Sequence, residues 1–174
     1  VFIESEKKTE APTITITDAD KKNIYTTRIN AYEGEEVKIF SALSDKNSAN
    51  FPCFLFKEMI RKTSYSVAQE DSRFVFNGLF LISKGKKVSF IGTDGRRLAK
   101  IDKDIPENLP FEKGVIIPHK AIKEMSKMID SGESGRIGFY ENQVYLAIGE
   151  TELLCKTIDG NFPDYEQVIP KNTS

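Results

Sequence analysis

Most of this chain places apolar and β-branched residues in short runs broken by turn formers, the pattern of strands. In two places the period lengthens to that of a helix. In "FLFKEMIRKTSYSVA", residues 54–68, Phe56, Met59, Ile60, Thr63 and Val67 recur at helical spacing. This predicts an amphipathic helix with Lys57 and Arg61 on its far side and Lys62 beside them. In "PHKAIKEMSKMID", residues 118–130, Ala121, Ile122, Met125, Met128 and Ile129 make a second apolar stripe, and Lys120, Lys123 and Lys127 share another face. Pro118 suits the first turn of that helix and "SGESG" its end.

Before residue 50, "TITIT" (13–17), "IYTTRINAY" (24–32) and "EVKIFSA" (36–42) read as strands. "ESEKKTE" (4–10) reads as a charged loop and "SDKNSAN" (44–50) as a linker or poor strand. After it, strands are expected in "FVFNGLFLIS" (74–83), "KKVSFIG" (86–92), "RRLAKI" (96–101) and "VIIP" (115–118), with a loop over 102–114. "RIGFYE" (136–141), "QVYLAIG" (143–149) and "ELLCKTID" (152–159) form a meander, and "GNFPDYEQVIP" (160–170) a turn and short strand. One helix followed by several strands thus occurs twice. A sheet with an apolar face needs covers, and the two helices are the covers available. The expected fold class is α+β, with two amphipathic helices packed on antiparallel sheet and their outer faces exposed together.

Composition narrows the function. With 39% hydrophobic and 29% charged residues the 174-residue chain is globular, and no apolar run approaches the roughly 20 residues of a membrane span. No signal peptide is visible and Val1 replaces an initiating Met, so a fragment of a longer, cytoplasmic chain is expected. Cys53 and Cys155 lie in no metal-like spacing and read as reduced thiols. His119, the only histidine, rules out a multi-histidine metal site and reads as a surface or capping residue at a helix start. No metal or cofactor is expected. The net charge is −1, yet residues 55–68 carry +2 and 119–130 carry +1, so positive charge gathers on the two helices. That is either an ordinary solvated face or a surface that meets a polyanion.

One stretch asks for more than a turn. In "SFIGTDGRRLAKI", residues 89–101, Asp94-Gly95 marks a hairpin and Arg96 and Arg97 follow at once. Carboxylates such as Asp94 with Asp71 or Asp164 would be needed for an enzyme. No paired-carboxylate spacing, nucleophile motif or metal set accompanies them, so no catalysis is expected. A single-stranded nucleic-acid-binding module is the alternative. It needs aromatic stacking platforms among its basic residues, whereas Trp is absent and the basic helices turn their aromatics inward.

Taken together and in order, "DSRFVFNGLFL" (71–81), "GTDGRRLA" (92–99), "VIIPHKAIKEM" (115–125) and "IDGNFPDYEQVIP" (158–170) resemble the middle domain of the bacterial sliding clamp, the β subunit of DNA polymerase III. Singly, each also reads as a plain turn, strand surface or corner. The resemblance covers about residues 50–172. Residues 1–49 carry no clamp signature and would be the end of the first domain with its linker, or an insertion.

The resemblance implies a DNA-clamp fold and a non-catalytic processivity factor. Its full-length chains pair as a homodimeric ring around duplex DNA, helices inward and sheets outward. It implies DNA-facing residues at Lys57, Arg61, Lys62, Lys120, Lys123 and Lys127. Phe74 and Val75 stand where clamps can carry tyrosines, which makes Phe74 a further DNA-side position. It also implies an outer groove that docks short linear peptides of the polymerase, clamp loader and repair proteins. The groove would use Arg73, Phe76, Thr93, Gly95, Arg96, Arg97 and Leu98 from one part of the chain, and Pro163, Gln167 and Val168 from another. Two positions depart from the family pattern: Arg96 stands where histidine is common and Gln167 where arginine is common.

Overall fold

A computed structural model describes residues 2–6, 13–17, 26–30, 47–130 and 133–170. The chain divides into two compact units, Val1–Ser41 and Ala42–Ser174. In the first, strands β1 (Phe2–Glu6), β2 (Thr13–Thr17) and β3 (Thr26–Asn30) form an antiparallel sheet in that order, with Phe2 opposite Thr17 and Thr13 opposite Asn30. The charged "ESE" of residues 4–6 is therefore strand where a loop was expected. Pairing with β2 satisfies the backbone groups on that side of the strand whatever its side chains carry. The strand expected at 36–42 lies outside the described residues.

The second unit runs β4 (Ser48–Pro52), α1 (Cys53–Thr63), β5 (Gly78–Lys84), β6 (Lys87–Thr93), β7 (Leu98–Asp104), β8 (Val115–Pro118), α2 (His119–Ile129), β9 (Ser134–Tyr140), β10 (Gln143–Ile148) and β11 (Thr151–Lys156). Its strands make two four-stranded antiparallel sheets, ordered β11-β10-β9-β4 and β7-β6-β5-β8. Ser48–Asn50, expected as linker or poor strand, is strand and opens β4 because Ala49 pairs with Ile137 and is buried.

The periodic stripes become the core. Phe56, Met59 and Ile60 of α1 and Ile122, Met125 and Ile129 of α2 join one buried cluster with Leu79, Leu81, Phe90 and Leu146 from the sheets. Phe51, Phe56 and Phe90 form a ring series with centroids 4.0 and 5.2 Å apart. Each large side chain buried this way contributes roughly 1.5–3 kcal/mol. Helix α1 lies over β6 and β7, and α2 meets β5 and β8 of one sheet and β10 and β11 of the other. Lys57, early in α1, pairs at 2.6 Å with Asp130 at the end of α2. His119, at the start of α2, shares a cavity wall with Ser64–Ala68 beyond the end of α1. The helices therefore run in opposite directions.

Two local departures come from side chains that compete with the regular ladders. Helix α1 ends at Thr63 rather than continuing to 68. Thr63 Oγ1 donates to the Met59 carbonyl and Ser66 Oγ to the Thr63 carbonyl, both at 2.7 Å, and Ser64–Ser66 tightens into a 3₁₀ turn. "FVFN" (74–77), expected as strand, is likewise a 3₁₀ turn. The Asn77 amide closes it, accepting from Asp71 N at 2.8 Å and donating to the Asp71 carbonyl at 2.9 Å.

The tail after β11 returns over the outer face of the β7-β6-β5-β8 sheet. Ile158 bridges to Ile116, Phe162 stacks on Phe80 at 4.6 Å with planes 4° apart, and Tyr165–Gln167 forms a 3₁₀ turn within the segment expected to hold a turn and a short strand. Asp164 caps that turn, accepting from Glu166 N at 3.1 Å. Phe80 is in turn held by the Phe111–Gly114 turn. Gly114 has φ +73, and a Cβ there would collide with the Phe80 ring. Among the described residues, no helix is long and apolar enough to cross a membrane.

Candidate functional site

The outer face of β7 shows Leu98, Lys100 and Asp102 in alternation, and the returning tail stands beside them. Between strand and tail lies a cavity of about 900 Å³. One end is the β6–β7 hairpin tip. Asp94 organises that tip as an Asx-type loop: its Oδ1 accepts from the backbone N–H groups of Arg96 and Arg97, each at 3.0 Å, and its Oδ2 from Arg97 Nε at 3.0 Å. These donors hold the Asp94 carboxyl below its ordinary pKa, the backbone N–H groups most strongly. Thr93 Oγ1 donates to the Arg97 carbonyl at 2.7 Å and accepts from Gly95 N at 3.1 Å. Of the Asp-Gly pair only Gly95 takes a positive φ, +83. A four-residue loop with a side-chain anchor thus replaces the two-residue turn that the dipeptide suggests.

Arg73 lies across this tip. Its guanidinium and backbone bond Asp71 at 2.8–3.0 Å, and it sits 4.3 Å over the Phe76 ring. It also passes so close to Gly95 that a Cβ would lie 3.1 Å from Nη2. The Asp71 carboxyl is pushed down to about 2, first by the Arg73 side chain and then by its backbone N–H. Phe76 is buried beneath it.

The opposite wall is the tail. Phe162, Pro163, Asp164, Tyr165, Val168 and Ile169 line it, and Val168 is 69% exposed, a large apolar surface without cover from the described chain. Tyr165 sits 5.9 Å from Lys100 Nζ, and burial raises its phenol. Lys100 pairs with Asp102 at 2.8 Å across the floor.

Nine of the ten expected groove positions line this one cavity: Arg73, Phe76, Thr93, Gly95, Arg96, Arg97 and Leu98 from the hairpin side, Pro163 and Val168 from the tail. Gln167 does not line it; its amide turns back to donate to Asp164 Oδ2 at 2.9 Å. Lys100, Asp102, Phe162 and Tyr165 are lining residues that sequence reasoning missed. The first two were legible as the same-face continuation of Leu98 along β7. The aromatic pair was not, because only the folded tail brings them to the sheet.

The second expected surface is on the helices. Lys57, Arg61, Lys62, Lys120, Lys123 and Lys127 are all solvent-exposed, as is Phe74, at 72%. Their charge is less free than their number suggests. Lys57 pairs with Asp130, Lys62 with Glu58 at 2.6 Å and Lys127 with Glu124 at 2.8 Å. Glu58 also binds Lys103 at 2.8 Å and is pushed down to about 2, by Lys103 first and Lys62 next. Arg61, Lys120 and Lys123 have no ion pair among the described residues. His119 is half-buried, with Nδ1 enclosed and without a hydrogen bond among them; burial, then Lys123, lowers its pKa. Both cysteines are free thiols. Burial raises the pKa of each, that of Cys155 to about 11.

A family model described as "DNA polymerase III beta subunit, central domain" matches residues 50–164. The chain belongs to the DNA polymerase III beta subunit family. Within that family it is 34% identical over 122 residues to the beta sliding clamp of Escherichia coli K12, covering 70% of this chain and 33% of the relative. To the beta sliding clamp of Chlamydia pneumoniae it is 31% identical over 142 residues, covering 82% and 39%. The chain thus spans about a third of the length of the curated relatives it matches. Among solved beta-subunit structures, Caulobacter crescentus pol III beta superposes with a TM-score of 0.70 at 26% identity, covering 94% of this chain and 47% of that one. A Pseudomonas aeruginosa sliding clamp bound to griselimycin shares the fold at a TM-score of 0.73 and 24% identity, covering 98% and 45%. The α+β architecture of two antiparallel sheets and two helices is that of the beta-subunit family.

Proposed function

We propose that this chain is the central part of a DNA polymerase processivity factor, a non-catalytic clamp acting in the cytoplasm. Its outer cavity docks short linear peptides of polymerase, clamp-loader and repair proteins. The observation that carries this is the convergence of residues 73–98 and 162–169 on one open cavity. Phe76, Leu98, Phe162 and Val168 supply apolar walls there, and the Arg73, Arg96 and Arg97 guanidiniums stand at the rim. A few apolar anchors in a pocket with polar groups fixing the path is how linear peptides are recognised. A Pseudomonas aeruginosa clamp of the same fold binds griselimycin, which is in keeping with a ligand site on this fold.

We further infer that residues 50–174 form the middle clamp domain and 1–49 the end of the preceding one. A structural likeness to the Pseudomonas aeruginosa DNA polymerase III beta subunit supports this over an insertion, since it extends over 99% of the chain. The helix faces bearing Arg61, Lys120 and Lys123 would turn toward duplex DNA in the closed homodimeric ring of the full-length protein. Topology then retains the DNA, and a few salt-screened phosphate contacts suffice.

The test is an amide-shift titration of the folded chain with a short peptide carrying adjacent leucine and phenylalanine anchors. Shifts at Phe76, Leu98 and Val168 are expected. Shifts confined to α1 and α2, with the hairpin silent, would overturn the groove. For the ring, the full-length parent should stay on closed circular plasmid and leave it on linearisation; equal release from both would refute encirclement.

A further inference from the structure

The cavity carries its charge at two separate ends, and this goes further than a generic apolar groove. At the hairpin end stand three guanidiniums. Arg73 is matched by Asp71 at 2.9 Å and Arg97 by Asp94 at 3.0 Å, while Arg96 makes no direct ion pair among the described residues and acts on Asp71 only from a distance. Its backbone N–H is engaged with Asp94, which fixes the residue at the rim and leaves its side chain exposed. That end has one cation in excess.

At the tail end the balance reverses. Asp164 lines the cavity, and its two oxygens accept from the Glu166 backbone N–H and the Gln167 amide, both neutral donors. Glu166 is exposed beside it, and neither carboxylate has a cationic partner among the described residues. Of the charged side chains that line the floor between the ends, Lys100 is matched by Asp102, which also pairs with Lys87 outside the cavity at 3.5 Å. The charges that act on the Tyr165 phenol are Lys100, Glu166, Asp102 and Asp164, with no arginine among them. The separation is one of position as well as type. Tyr165 packs beside Lys100, two residues or roughly 7 Å down the strand from Leu98, and the hairpin tip lies on the other side of Leu98. The two ends are therefore a few peptide residues apart.

We propose that this groove selects peptides of one electrical polarity: apolar anchors flanked by an acidic residue that meets Arg96 and a basic residue that meets Asp164, with Glu166 adding negative charge just outside the cavity. The proposal rests on the groove reading above. Gln167 is the specificity-determining residue on the tail side, because a neutral amide there satisfies the Asp164 hydrogen bond without cancelling its charge. Arg96 plays the corresponding part at the tip. Charged rims of this kind contribute modestly to affinity and strongly to the rejection of wrong partners, since like charges brought together repel.

The experiment uses three synthetic peptides with one leucine–phenylalanine core. One has neutral flanks, one an acidic flank before the core and a basic flank after it, and one the reverse. The core fixes the direction of binding, so the two charged peptides present opposite polarity. Titrated against the 174-residue chain at 50 mM salt, one charged peptide should bind about five to twenty times more tightly than the other, with the neutral peptide between them. The ratio should shrink toward one at 1 M salt, where the screening length is about 3 Å. The double variant Arg96→Gln, Gln167→Arg should abolish or reverse the ratio between the two charged peptides, whatever it does to the affinity for the neutral one. Neutral binding with the two charged peptides equal within twofold would leave the groove standing and overturn the polarity. A preference unchanged in the double variant would overturn the assignment to these residues. Failure of all three peptides to bind would remove the groove and this inference with it.

Discussion

Gly114→Ala joins core geometry to the groove in one substitution. Gly114 closes the Phe111–Gly114 turn, its N–H donating to the Phe111 carbonyl at 3.0 Å with φ +73, and its Cα lies against the ring of Phe80. Alanine in this left-handed region costs roughly 1–2 kcal/mol from backbone sterics alone. The added methyl would also drive Phe80 out of its parallel stack on Phe162, and such a ring pair contributes about 0.5–1.5 kcal/mol beyond its buried area. The sum is roughly 2–3 kcal/mol, a fall in melting temperature of about 6–15 °C for a unit of this size. Gly149→Ala is the control. Gly149 has φ +57 but nothing within 4 Å of a Cβ, so it reports backbone strain without displacing a ring. Calorimetry of both variants, with ring-to-ring contacts followed by NMR, separates the terms. Gly114→Ala should melt several degrees below Gly149→Ala, lose the Phe80–Phe162 contact and bind peptide more weakly. Equal melting temperatures with that contact intact would refute the reasoning.

Other expectations are as direct. The Asp71 and Asp94 carboxyls are depressed in the folded state, so their contribution to hairpin order is fully present above the unfolded carboxylate range and is lost as pH falls through the folded values. Carboxyl-carbon NMR should place the Asp71 midpoint near 2, with the Arg73 and Arg97 Nε signals collapsing over the same range; a midpoint near 4 would mean the Arg73 pairing does not form in solution. Lys57→Ala should change stability by less than about 0.5 kcal/mol in urea unfolding, because its pair with Asp130 is solvent-exposed. With burial raising both thiol pKa values, Cys53 and Cys155 should react with a disulfide reagent at pH 8 at least tenfold more slowly in the native protein than in urea. Ser83→Ala should cost about 1–3 kcal/mol. Its buried hydroxyl donates to the Leu109 carbonyl at 2.8 Å and accepts from Phe111 N at 3.2 Å, and both backbone groups would lose that partner.

The helices were legible because their periodic residues are their buried residues: Phe56, Met59 and Ile60 in one, Ile122, Met125 and Ile129 in the other. Hairpin order was legible from turn residues. The misjudged segments share a cause. Phe74–Asn77 has strand composition, yet Asn77 hydrogen-bonds to Asp71 and curls it. The short strand expected within 160–170 is absent, and Tyr165–Gln167 is instead turned by the Asp164 side chain. Local polar groups there outbid an extended pattern, and a window of hydrophobicity does not register them. For the site, motif order named Arg73, Thr93 and Leu98, which the fold brings to one cavity, and Gln167, whose amide folds back on Asp164. Phe162 and Tyr165 escaped notice because their role depends on contacts across more than sixty residues of chain, with Phe80 and Lys100. The basic helices were read from their sequence as a net charge, whereas half of their cations are matched by neighbouring carboxylates.

The tail from Ile158 to Pro170 is fastened to the sheet by one backbone bridge at Ile116 and by the Phe162 ring, yet it supplies an entire side of the cavity. Anything lodged between it and β7 must also clamp the tail down, so occupancy and tail seating are thermodynamically linked. The Ile158 N–H, bonded to the Ile116 carbonyl at 2.9 Å, becomes a distant reporter: its protection from exchange should rise on ligand addition although the ligand does not touch it.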